Sequence, residues 1–296
     1  MTAKRKLAFI GLGVMGYPMA GHLAQAGHDV TAYNRTGAKA KAWAEQYGGK
    51  LAASPRLAAQ GADIVFSCVG NDNDIRQVTS GADGAFSGMS KGAVFADHST
   101  VSANVARELD QAACAAGFGF VDAPVSGGQA GAEKGILTVM VGGDPAAFAI
   151  VQPVMAHYGK AVTLMGPVGS GQLTKMVNQI AIAGLVQGLA EALNLALRAG
   201  LDAKKVIEVI SKGAAQSWQL DNRGPTMIED KFNFGFAVDW MRKDLGMTLD
   251  EARRNGAHLP LAALVDQFYG EVQGLGGGRW DTSSLLARLE ALTRRD

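Results

Sequence analysis

Short apolar runs rich in β-branched residues alternate with alanine-rich helical stretches through the first half of the chain. This alternation is typical of repeated βαβ units, and it predicts a parallel sheet whose strands are buried on both faces. Glycines after several of the helical stretches mark the return to the next strand. The predicted strands are Lys6–Ile10, Asp29–Tyr33, Ile64–Val69, Val94–Asp97, Gly119–Asp122 and Thr138–Val141.

The alternation stops after Val162–Leu164. A glycine-rich segment, Gly166–Gly171, then introduces a long helical pattern that runs to about Arg198 and is ended by Gly200. We therefore predict an α/β protein with a doubly wound domain, residues 1–166, and an all-α domain, residues 167–296, that begins with the long helix. The further predicted helices are Ala203–Lys212, Phe236–Asn255, Leu261–Gln273 and Ser283–Arg294.

Composition supports two domains and a small-molecule partner. The chain has 296 residues, of which 48% are hydrophobic, which is enough for two cores. Its net charge of +1 provides no basic field to attract nucleic acid or an anionic membrane. Cys68 and Cys114 fit no metal or redox spacing, and the five histidines also lack metal-ligand spacing, so we expect reduced thiols, no metal and a cytoplasmic location.

The segment Met176–Gly200 is apolar around most of its helical circumference. Because one small helical domain cannot cover such a helix on all sides, we expect a homo-oligomer, either a dimer or a tetramer. The segment also carries polar residues that would be costly in lipid, so we expect no membrane span. These residues are Asn178, Gln179, Gln187, Glu191 and Asn194.

A GxGxxG fingerprint lies directly after the first predicted strand and before the helical stretch Tyr17–Ala26. Its first glycine allows a tight turn, its second lets the backbone approach a pyrophosphate, and its third permits close packing of helix and strand. The helix N-terminus adds amide donors for the phosphate charge. We therefore predict a dinucleotide site rather than a glycine-rich turn that binds nothing, formed by Gly11, Leu12, Gly13, Val14, Met15 and Gly16.

The end of the second predicted strand bears on the choice of cofactor. NAD enzymes usually carry a carboxylate there for the ribose hydroxyls, whereas this chain has Asn34, Arg35 and Thr36. Arg35 can pair with a 2′-phosphate, and Asn34 and Thr36 can add hydrogen bonds. We therefore expect NADP to be preferred, with NAD possible and a solvated surface arginine as the alternative interpretation.

Two further motifs carry candidate chemistry. After the fifth predicted strand, Asp122–Gly128 ends in Ser126, Gly127 and Gly128, whose hydroxyl and amide groups can turn toward one anion such as a substrate carboxylate. In Gly169–Gln179, Lys175 precedes Asn178 and Gln179 by three and four residues on one helix face. Partial desolvation and the helix dipole favour a neutral lysine that can transfer protons; a lysine that only extends from a core helix to solvent is the alternative.

With these motifs in this order, the chain resembles the β-hydroxyacid dehydrogenases, the family of 3-hydroxyisobutyrate dehydrogenase, tartronate semialdehyde reductase and the glyoxylate/succinic semialdehyde reductases. The resemblance covers nearly the whole chain and includes the segment from Phe236 to Leu245. It implies a Rossmann domain joined by a long helix to an all-helical domain for substrate binding and dimerisation. It also implies hydride transfer between NADP(H) and a small 3-hydroxy acid or its semialdehyde.

The resemblance assigns roles to individual positions. Lys175 would be the general acid/base, with Asn178 or Gln179 as its amide partner. Ser126, Gly127 and Gly128 would hold the substrate carboxylate, and Phe236 and Asp244 would close the substrate site. Positions that would contact or border the cofactor are Val69, Asn71, Thr100 and Lys243.

Two other functions remain open at this point. The related imine reductases share the expected architecture but generally lack the lysine, so Lys175 favours carbonyl and alcohol chemistry. A non-catalytic NADP-binding module would keep the glycines and lose the proton-transfer group, which this chain retains.

Overall fold

The computed structural model describes residues 3–293 and divides them into two compact units. Unit 1 extends to Lys175, and unit 2 begins at Met176. The division therefore lies inside the long helix, whereas the sequence pattern predicts a boundary between residues 166 and 167, before that helix. The first turns of the helix belong to unit 1 because their backbone amides are bonded to Asp122 of the sheet.

Unit 1 is built on a sheet in which the described residues form nine strands, ordered β3-β2-β1-β4-β5-β6-β8-β7, with β9 paired to β8. The pairs from β3 through β6 are parallel, as predicted. The central strands β1, β4, β5 and β6 are almost entirely buried, also as predicted. The strands are β1 Lys6–Ile10, β2 Asp29–Tyr33, β3 Lys50–Leu51, β4 Ile64–Ser67, β5 Val94–Asp97, β6 Gly119–Asp122, β7 Val125–Ser126, β8 Leu137–Gly143 and β9 Gly159–Gly166.

The expectation of a parallel sheet is wrong at one side of this unit. Strand β8 runs antiparallel to both β6 and β7, and only its pairing with β9 is parallel. Strand β7 is joined to β8 through one short helix, a connection that suits antiparallel neighbours, whereas a parallel crossover needs about a dozen residues or more. Burial also departs from the expectation in β2, where buried and partly exposed residues alternate.

Helices cover both faces of the sheet, which makes unit 1 doubly wound. On one face, Met19, Trp43 and Met155 pack against Phe9 and Phe66 of the strands. On the other face, a second apolar core contains residues of α3, α4 and α5. The helices of this unit are α1 Gly16–Gln25, α2 Gly37–Tyr47, α3 Pro55–Ala59, α4 Asp72–Ser80, α5 Ala103–Ala116, α6 Gly128–Glu133 and α7 Pro145–Met155, with a 3-10 turn at Ala85–Ser87.

The long helix α8 spans Ser170–Arg198, close to its predicted limits, and continues into unit 2. Unit 2 is helical as predicted, and its core includes Leu193, Met241 and Tyr269. Helix α10 was not among the predicted helices. The predicted end at Arg294 lies outside the described residues. The remaining helices are α9 Ala203–Ile210, α10 Trp218–Ile228, α11 Val238–Asn255, α12 Pro260–Gly274 and α13 Leu285–Thr293, with a 3-10 turn at Thr282–Ser284.

Helix α8 combines a buried face with an exposed apolar face. Ala183, Val186 and Leu193 are buried in the unit 2 core. Val177 is 65% exposed and Leu195 is 70% exposed. Among the described helices, α8 alone is long and apolar enough to cross a membrane by length and composition, a test that core helices of soluble proteins also pass.

Candidate active site

The glycine loop between β1 and α1 is tight on its protein side and open on its other side. Gly11 has a φ of 97°, and a Cβ atom there would overlap the Cys68 carbonyl oxygen. A Cβ at Gly16 would overlap the Gly11 carbonyl oxygen, so α1 packs closely on the loop. A Cβ at Gly13 would meet no atom within 4 Å. This open cradle of backbone beside a helix N-terminus fits the pyrophosphate of a dinucleotide.

The side chains of the other predicted loop residues leave the start of α1 uncapped. Val14 is 57% exposed, and Met15 precedes α1 without a side-chain cap, so the helix amides are not capped by the loop's own side chains. The Leu12 amide instead donates to Asn34 Oδ1 over 2.9 Å. Asn34 also donates through Nδ2 to the Thr36 carbonyl oxygen at 3.0 Å. Asn34 therefore links the ends of β1 and β2.

Arg35 and Thr36 extend from the end of β2 toward solvent. The Arg35 side chain is 80% exposed, and its Nη1 lies 3.3 Å from Asp74 Oδ1. Thr36 is exposed and precedes α2 without making a side-chain cap, and the first turn of α2 contains no acidic residue. The end of β2 thus presents a guanidinium, a hydroxyl and helix amides together, which is a suitable environment for a phosphate.

The ends of β4 and β5 are joined by buried polar contacts. The Val69 amide donates to Ser99 Oγ at 2.8 Å. Ser67 Oγ and the Ser99 amide both donate to Asp97 Oδ1, at 2.7 and 3.0 Å. Burial raises the pKa of Asp97 to about 6, and the hydrogen bonds from Ser99 and Ser67 oppose that rise. Asn71 caps α4 by accepting from the Asp74 amide at 2.9 Å.

His98 ties the loop after β5 to the loop after β6. One ring nitrogen, Nδ1, lies 2.6 Å from the Ala123 carbonyl oxygen and must donate to it, because a carbonyl only accepts. The other, Nε2, lies 2.8 Å from the Tyr158 hydroxyl and accepts from it when the ring is neutral. Burial lowers the pKa of His98 to about 4, so the ring is neutral near pH 7. His98 is 2% exposed, and its hydrogen bonds join the loop after β5 to the loop after β6 and to Tyr158.

The loop predicted to bind a carboxylate has the expected backbone freedom. Ser126 lies in β7, which pairs with β8. Gly127 and Gly128 follow with φ values of 134° and 62°, a region that favours glycine. A Cβ at Gly127 would lie 3.0 Å from a Leu137 methyl carbon, whereas one at Gly128 would meet nothing within 4 Å. The loop is therefore packed on one side and accessible on the other.

Asp122 holds the start of α8 against the sheet. Its Oδ1 accepts from the Gly169 amide at 2.7 Å, and its Oδ2 accepts from the Gln172 amide at 2.8 Å. The carboxyl group is fully buried, and burial raises its pKa to about 6 against the lowering effect of these amides. Glycine is required nearby, since a Cβ at Gly142 would lie 2.5 Å from Asp122 Oδ1. A carboxylate from β6 thus serves as the cap of a distant helix.

Lys175 follows on the same helix and is 8% exposed. One turn before it, Gln172 is fully buried and reaches the loop that carries Thr100. The structure therefore brings the helix turn before Lys175 and the Thr100 loop together in unit 1. The role of Gln172 was not predicted, although the residue lies inside the Gly169–Gln179 motif.

In unit 2, Asn178, Gln179 and Asp244 form a chain of contacts. Asn178 Nδ2 donates to Gln179 Oε1 at 2.9 Å, and Gln179 Nε2 donates to Asp244 Oδ2 at 2.6 Å. Lys243 Nζ lies 3.1 Å from Asp244 Oδ1. Gln179 and Asp244 are each 2% exposed, whereas Asn178 is only partly buried. The Gln179 side chain is therefore buried in unit 2 and bonded there, and Asn178 is the more accessible of the two amides.

Phe236 is positioned by a residue outside the predicted set. Its amide donates to Asp281 Oδ2 at 2.9 Å, just before α11 begins. Asp281 is fully buried and lies 2.9 Å from Arg223 Nε. The Arg223 guanidinium in turn lies 5.0 Å from the ring centres of both Trp218 and Phe234. This arrangement holds the segment that leads from Phe236 to Lys243.

Comparison with known proteins identifies the family. The NAD binding domain of 6-phosphogluconate dehydrogenase matches residues 6–166, and the NAD-binding domain of NADP-dependent 3-hydroxyisobutyrate dehydrogenase matches residues 169–289. The chain belongs to the β-hydroxyacid dehydrogenase family. The resemblance found in its motifs is confirmed, and the chain is an NAD(P)-dependent hydroxyacid dehydrogenase.

Relatives of this β-hydroxyacid dehydrogenase match along nearly its whole length. It is 42% identical to the probable 3-hydroxyisobutyrate dehydrogenase-like 1, mitochondrial, of Arabidopsis thaliana, over 97% of this chain and 86% of that one. It is 35% identical to 2-hydroxy-3-oxopropionate reductase of Escherichia coli K12, over 97% and 98%. A solved structure of Mycobacterium tuberculosis 3-hydroxyisobutyrate dehydrogenase with L-serine matches with a TM-score of 0.88 and 29% identity, over 97% and 99%.

Proposed function

We propose that this hydroxyacid dehydrogenase prefers NADP(H) and acts on a small 3-hydroxy acid or its semialdehyde, with Lys175 as the general acid/base. The observation that carries the proposal is the burial of Lys175, which is 8% exposed, on a helix whose first turn is bonded to the carboxyl end of the sheet. Open α/β sheets bind their ligands at that end. A lysine that merely extended from a core helix would keep its ammonium in solvent.

The preference for NADP is supported by the end of β2. Arg35, the Thr36 hydroxyl and the uncapped start of α2 are all accessible there. A 2′-phosphate would add charge-assisted hydrogen bonds that the ribose hydroxyl of NAD cannot make. Asp74, which pairs with Arg35, is the nearby carboxylate that opposes this preference. One of the matching domains also takes its description from an NADP-dependent enzyme.

The nicotinamide ring, when bound, accepts or donates the hydride. In the oxidation direction, the neutral Lys175 Nζ takes the proton of the substrate hydroxyl. In the reduction direction, the Lys175 ammonium returns a proton to the carbonyl oxygen. General acid/base groups of this kind contribute about 10²- to 10⁴-fold to the rate.

The substrate carboxylate is assigned to Ser126, Gly127 and Gly128, because both glycines are exposed and a Cβ at Gly128 would meet nothing within 4 Å. For the amide partner of Lys175 we propose Asn178. It is three residues from the lysine and partly exposed, while Gln179 is buried against Asp244. Gln179 then orients Asn178 through its Oε1 atom.

The direct experiment measures turnover of small 3-hydroxy acids and semialdehydes, and of a cyclic imine for comparison, with both cofactors. Lys175→Ala and Lys175→Arg should each lower kcat by about 10²- to 10⁴-fold while leaving the dissociation constant for NADPH nearly unchanged. The arginine variant retains positive charge but cannot take up a proton, so it separates charge from proton transfer. Near-wild-type kcat in both variants would refute the assignment, and turnover of the imine alone would favour an imine reductase.

For the assembly we propose a homodimer or homotetramer in the cytoplasm. The exposed face of α8 carries Val177, Ala181, Leu185 and Leu195, at spacings that form one apolar stripe. A contiguous exposed apolar stripe usually marks a surface that is buried when proteins associate. Leu195→Glu should shift the sedimenting mass toward monomer, while Val209→Glu, at a 69% exposed position on α9, should not. A monomeric, fully active wild-type protein at micromolar concentration would exclude this assembly.

A further inference from the structure

We propose that Gln172 is a positioning residue for the reaction, and that it fixes the loop carrying Thr100 against the helix turn that leads to Lys175. The proposal rests on the proposed function, in which Lys175 transfers the proton, and on the cofactor contact that the family resemblance implies for Thr100. The side chain of Gln172 is bonded to the backbone on either side of Thr100. Its effect is to hold the backbone segments of Thr100 and Lys175 together.

Both polar ends of the Gln172 side chain are used on one short segment. Nε2 donates to the Ser99 carbonyl oxygen at 2.8 Å, and Oε1 accepts from the Val101 amide at 3.1 Å. These two backbone groups flank Thr100 on either side. Because one planar amide makes both bonds, it fixes the orientation of the Thr100 backbone as well as its distance from α8.

Gln172 is in turn fixed by its own backbone. Its amide donates to Asp122 Oδ2 at 2.8 Å, and Asp122 also accepts from Gly169. On the far side of the loop, Ser99 Oγ accepts from the Val69 amide at 2.8 Å. The contacts form a continuous series from the end of β4, through the loop after β5, to the start of α8 and the end of β6.

The side chain at position 172 must supply both a hydrogen-bond donor and an acceptor. Gln172 is fully buried, so an apolar replacement would leave the Ser99 carbonyl and the Val101 amide without their partner. A carboxylate would keep the acceptor but place negative charge against the Ser99 carbonyl oxygen. A residue that only filled space could be replaced by methionine, which has a similar volume.

The expected consequence is kinetic. Misplacement of reacting groups by about 1 Å can lower a rate by about 10²-fold, even when the substitution is away from the chemistry. Gln172→Met should therefore lower kcat by about 10- to 100-fold and increase the primary isotope effect measured with 4-deuterated NADPH. The dissociation constant of NADPH should change little, because the phosphate contacts lie at the ends of β1 and β2.

Gln172→Glu provides a test by rescue. When protonated, its carboxyl group has one donor and one acceptor and can replace both bonds of the amide. When ionised, it has no donor and repels the Ser99 carbonyl. The kcat of Gln172→Glu relative to wild type should therefore rise as the pH falls. A constant ratio across the pH range in which both proteins remain folded would count against the proposal.

Gln187→Met is the matched control. Gln187 is 3% exposed on the same helix, and its Nε2 donates to Glu191 of that helix. Its replacement should leave kcat unchanged whatever it does to the melting temperature. An equal fall in kcat for both methionine variants would mean that the effect is general destabilisation, and would overturn the proposal.

Amide hydrogen exchange reports on the hydrogen bond between the Val101 amide and Gln172 without a measurement of turnover. The Val101 amide should exchange faster in Gln172→Met than in wild type, and peptides covering Thr100 should show this difference, whereas Gln187→Met should not change them. Unchanged exchange, or Gln172→Met with kcat within about twofold of wild type, would overturn the positioning role. If the wild type turned over no hydroxy acid or semialdehyde, the proposed function would fail instead, and the exchange result would still decide the contact.

Discussion

The carboxyl ends of β5 and β6 differ sharply from that of β2, although all three strands run in the same direction in the sheet. Asp97, His98 and Asp122 are 1%, 2% and 0% exposed, and each makes hydrogen bonds to a segment distant in sequence. At the end of β2, the Arg35 side chain is 80% exposed and makes one ion pair. The first region can hold groups in fixed positions, whereas Arg35 and Thr36 in the second are exposed and can offer charge and hydrogen bonds to a ligand.

The difference indicates which part of the site governs which property. Buried hydrogen bonds are costly to leave unmade, so changes near β5 and β6 should affect folding and turnover together. Exposed ion pairs contribute little to stability, so changes at the end of β2 should affect cofactor choice alone. Substitutions chosen from each region can test that division.

The largest effect is expected from Gly142→Ala. The new Cβ would lie 2.5 Å from Asp122 Oδ1 and 2.8 Å from the backbone nitrogens of Ser170 and Gly171, so the start of α8 must shift. We expect the free energy of unfolding to fall by about 3 kcal/mol, the upper end for overpacking, and kcat to fall with it. Denaturant unfolding and steady-state kinetics measure the two quantities.

The matched substitution in the exposed region is Gly37→Ala, where a Cβ would meet nothing within 4 Å. Alanine is favoured over glycine in a helix by roughly 0.5 to 1 kcal/mol, so stability should be unchanged or slightly higher. Comparable losses of stability in the two variants would show that the regions do not differ in the way proposed.

The next effect concerns His98 and pH. Its pKa falls from 6.5 to about 4 on burial, so the stability from keeping the ring neutral is fully present above pH 6.5 and is lost as the pH falls through 4. The gap in unfolding free energy between wild type and His98→Gln should therefore be constant above pH 6.5 and change by at most about 3 kcal/mol between pH 6.5 and 4.

Two buried carboxyl groups have the opposite pH dependence, but they do not affect the difference between wild type and His98→Gln. Asp97 and Asp122 have pKa values raised from 3.8 to about 6, so their contribution is favourable below 3.8 and is lost as the pH rises through 6. Both groups remain in His98→Gln, and their effect cancels in the difference. A gap that stays the same from pH 7 to pH 4 would argue against a neutral, buried His98.

The smallest effect is expected at Arg35. Arg35→Ala should raise the KM for NADPH by about tenfold, equivalent to about 1.4 kcal/mol, and leave the KM for NADH and the melting temperature nearly unchanged. Arg76→Ala is the control, since Arg76 is a partly exposed arginine whose side chain is paired with Glu108. Equal changes in KM for the two cofactors would remove the support for NADP preference.

Much of the fold could be predicted because its signals are local. The strand Lys6–Ile10, the fingerprint from Gly11 to Gly16 and the helix that ends near Arg198 each follow from periodicity and glycine placement within a few residues. Helix α10 was missed, and it contains Pro225, a residue that usually interrupts a helical pattern. The antiparallel pairing of β8 depends on how a short connection turns, which its apolar pattern does not record.

The site was predicted at its motifs but not in its supporting contacts. Lys175 and Ser126 stand out because their residue types suggest chemistry. Gln172 does not, since its partners lie 71 and 73 residues earlier in the chain and no local pattern links them. The choice between Asn178 and Gln179 was also open in the sequence, and our proposal of Asn178 rests on the hydrogen bond that holds Gln179 against Asp244.

The cap that Asp122 supplies to α8 sets a minimum length for an independent N-terminal fragment. A protein shortened at residue 166 would retain the whole sheet but lose the amides of Gly169 and Gln172. The Asp122 carboxylate, the Ser99 carbonyl and the Val101 amide would each lose the hydrogen-bond partners that the start of α8 supplies in the full chain. A fragment designed for expression or crystallisation should therefore continue through Lys175, where the compact unit ends.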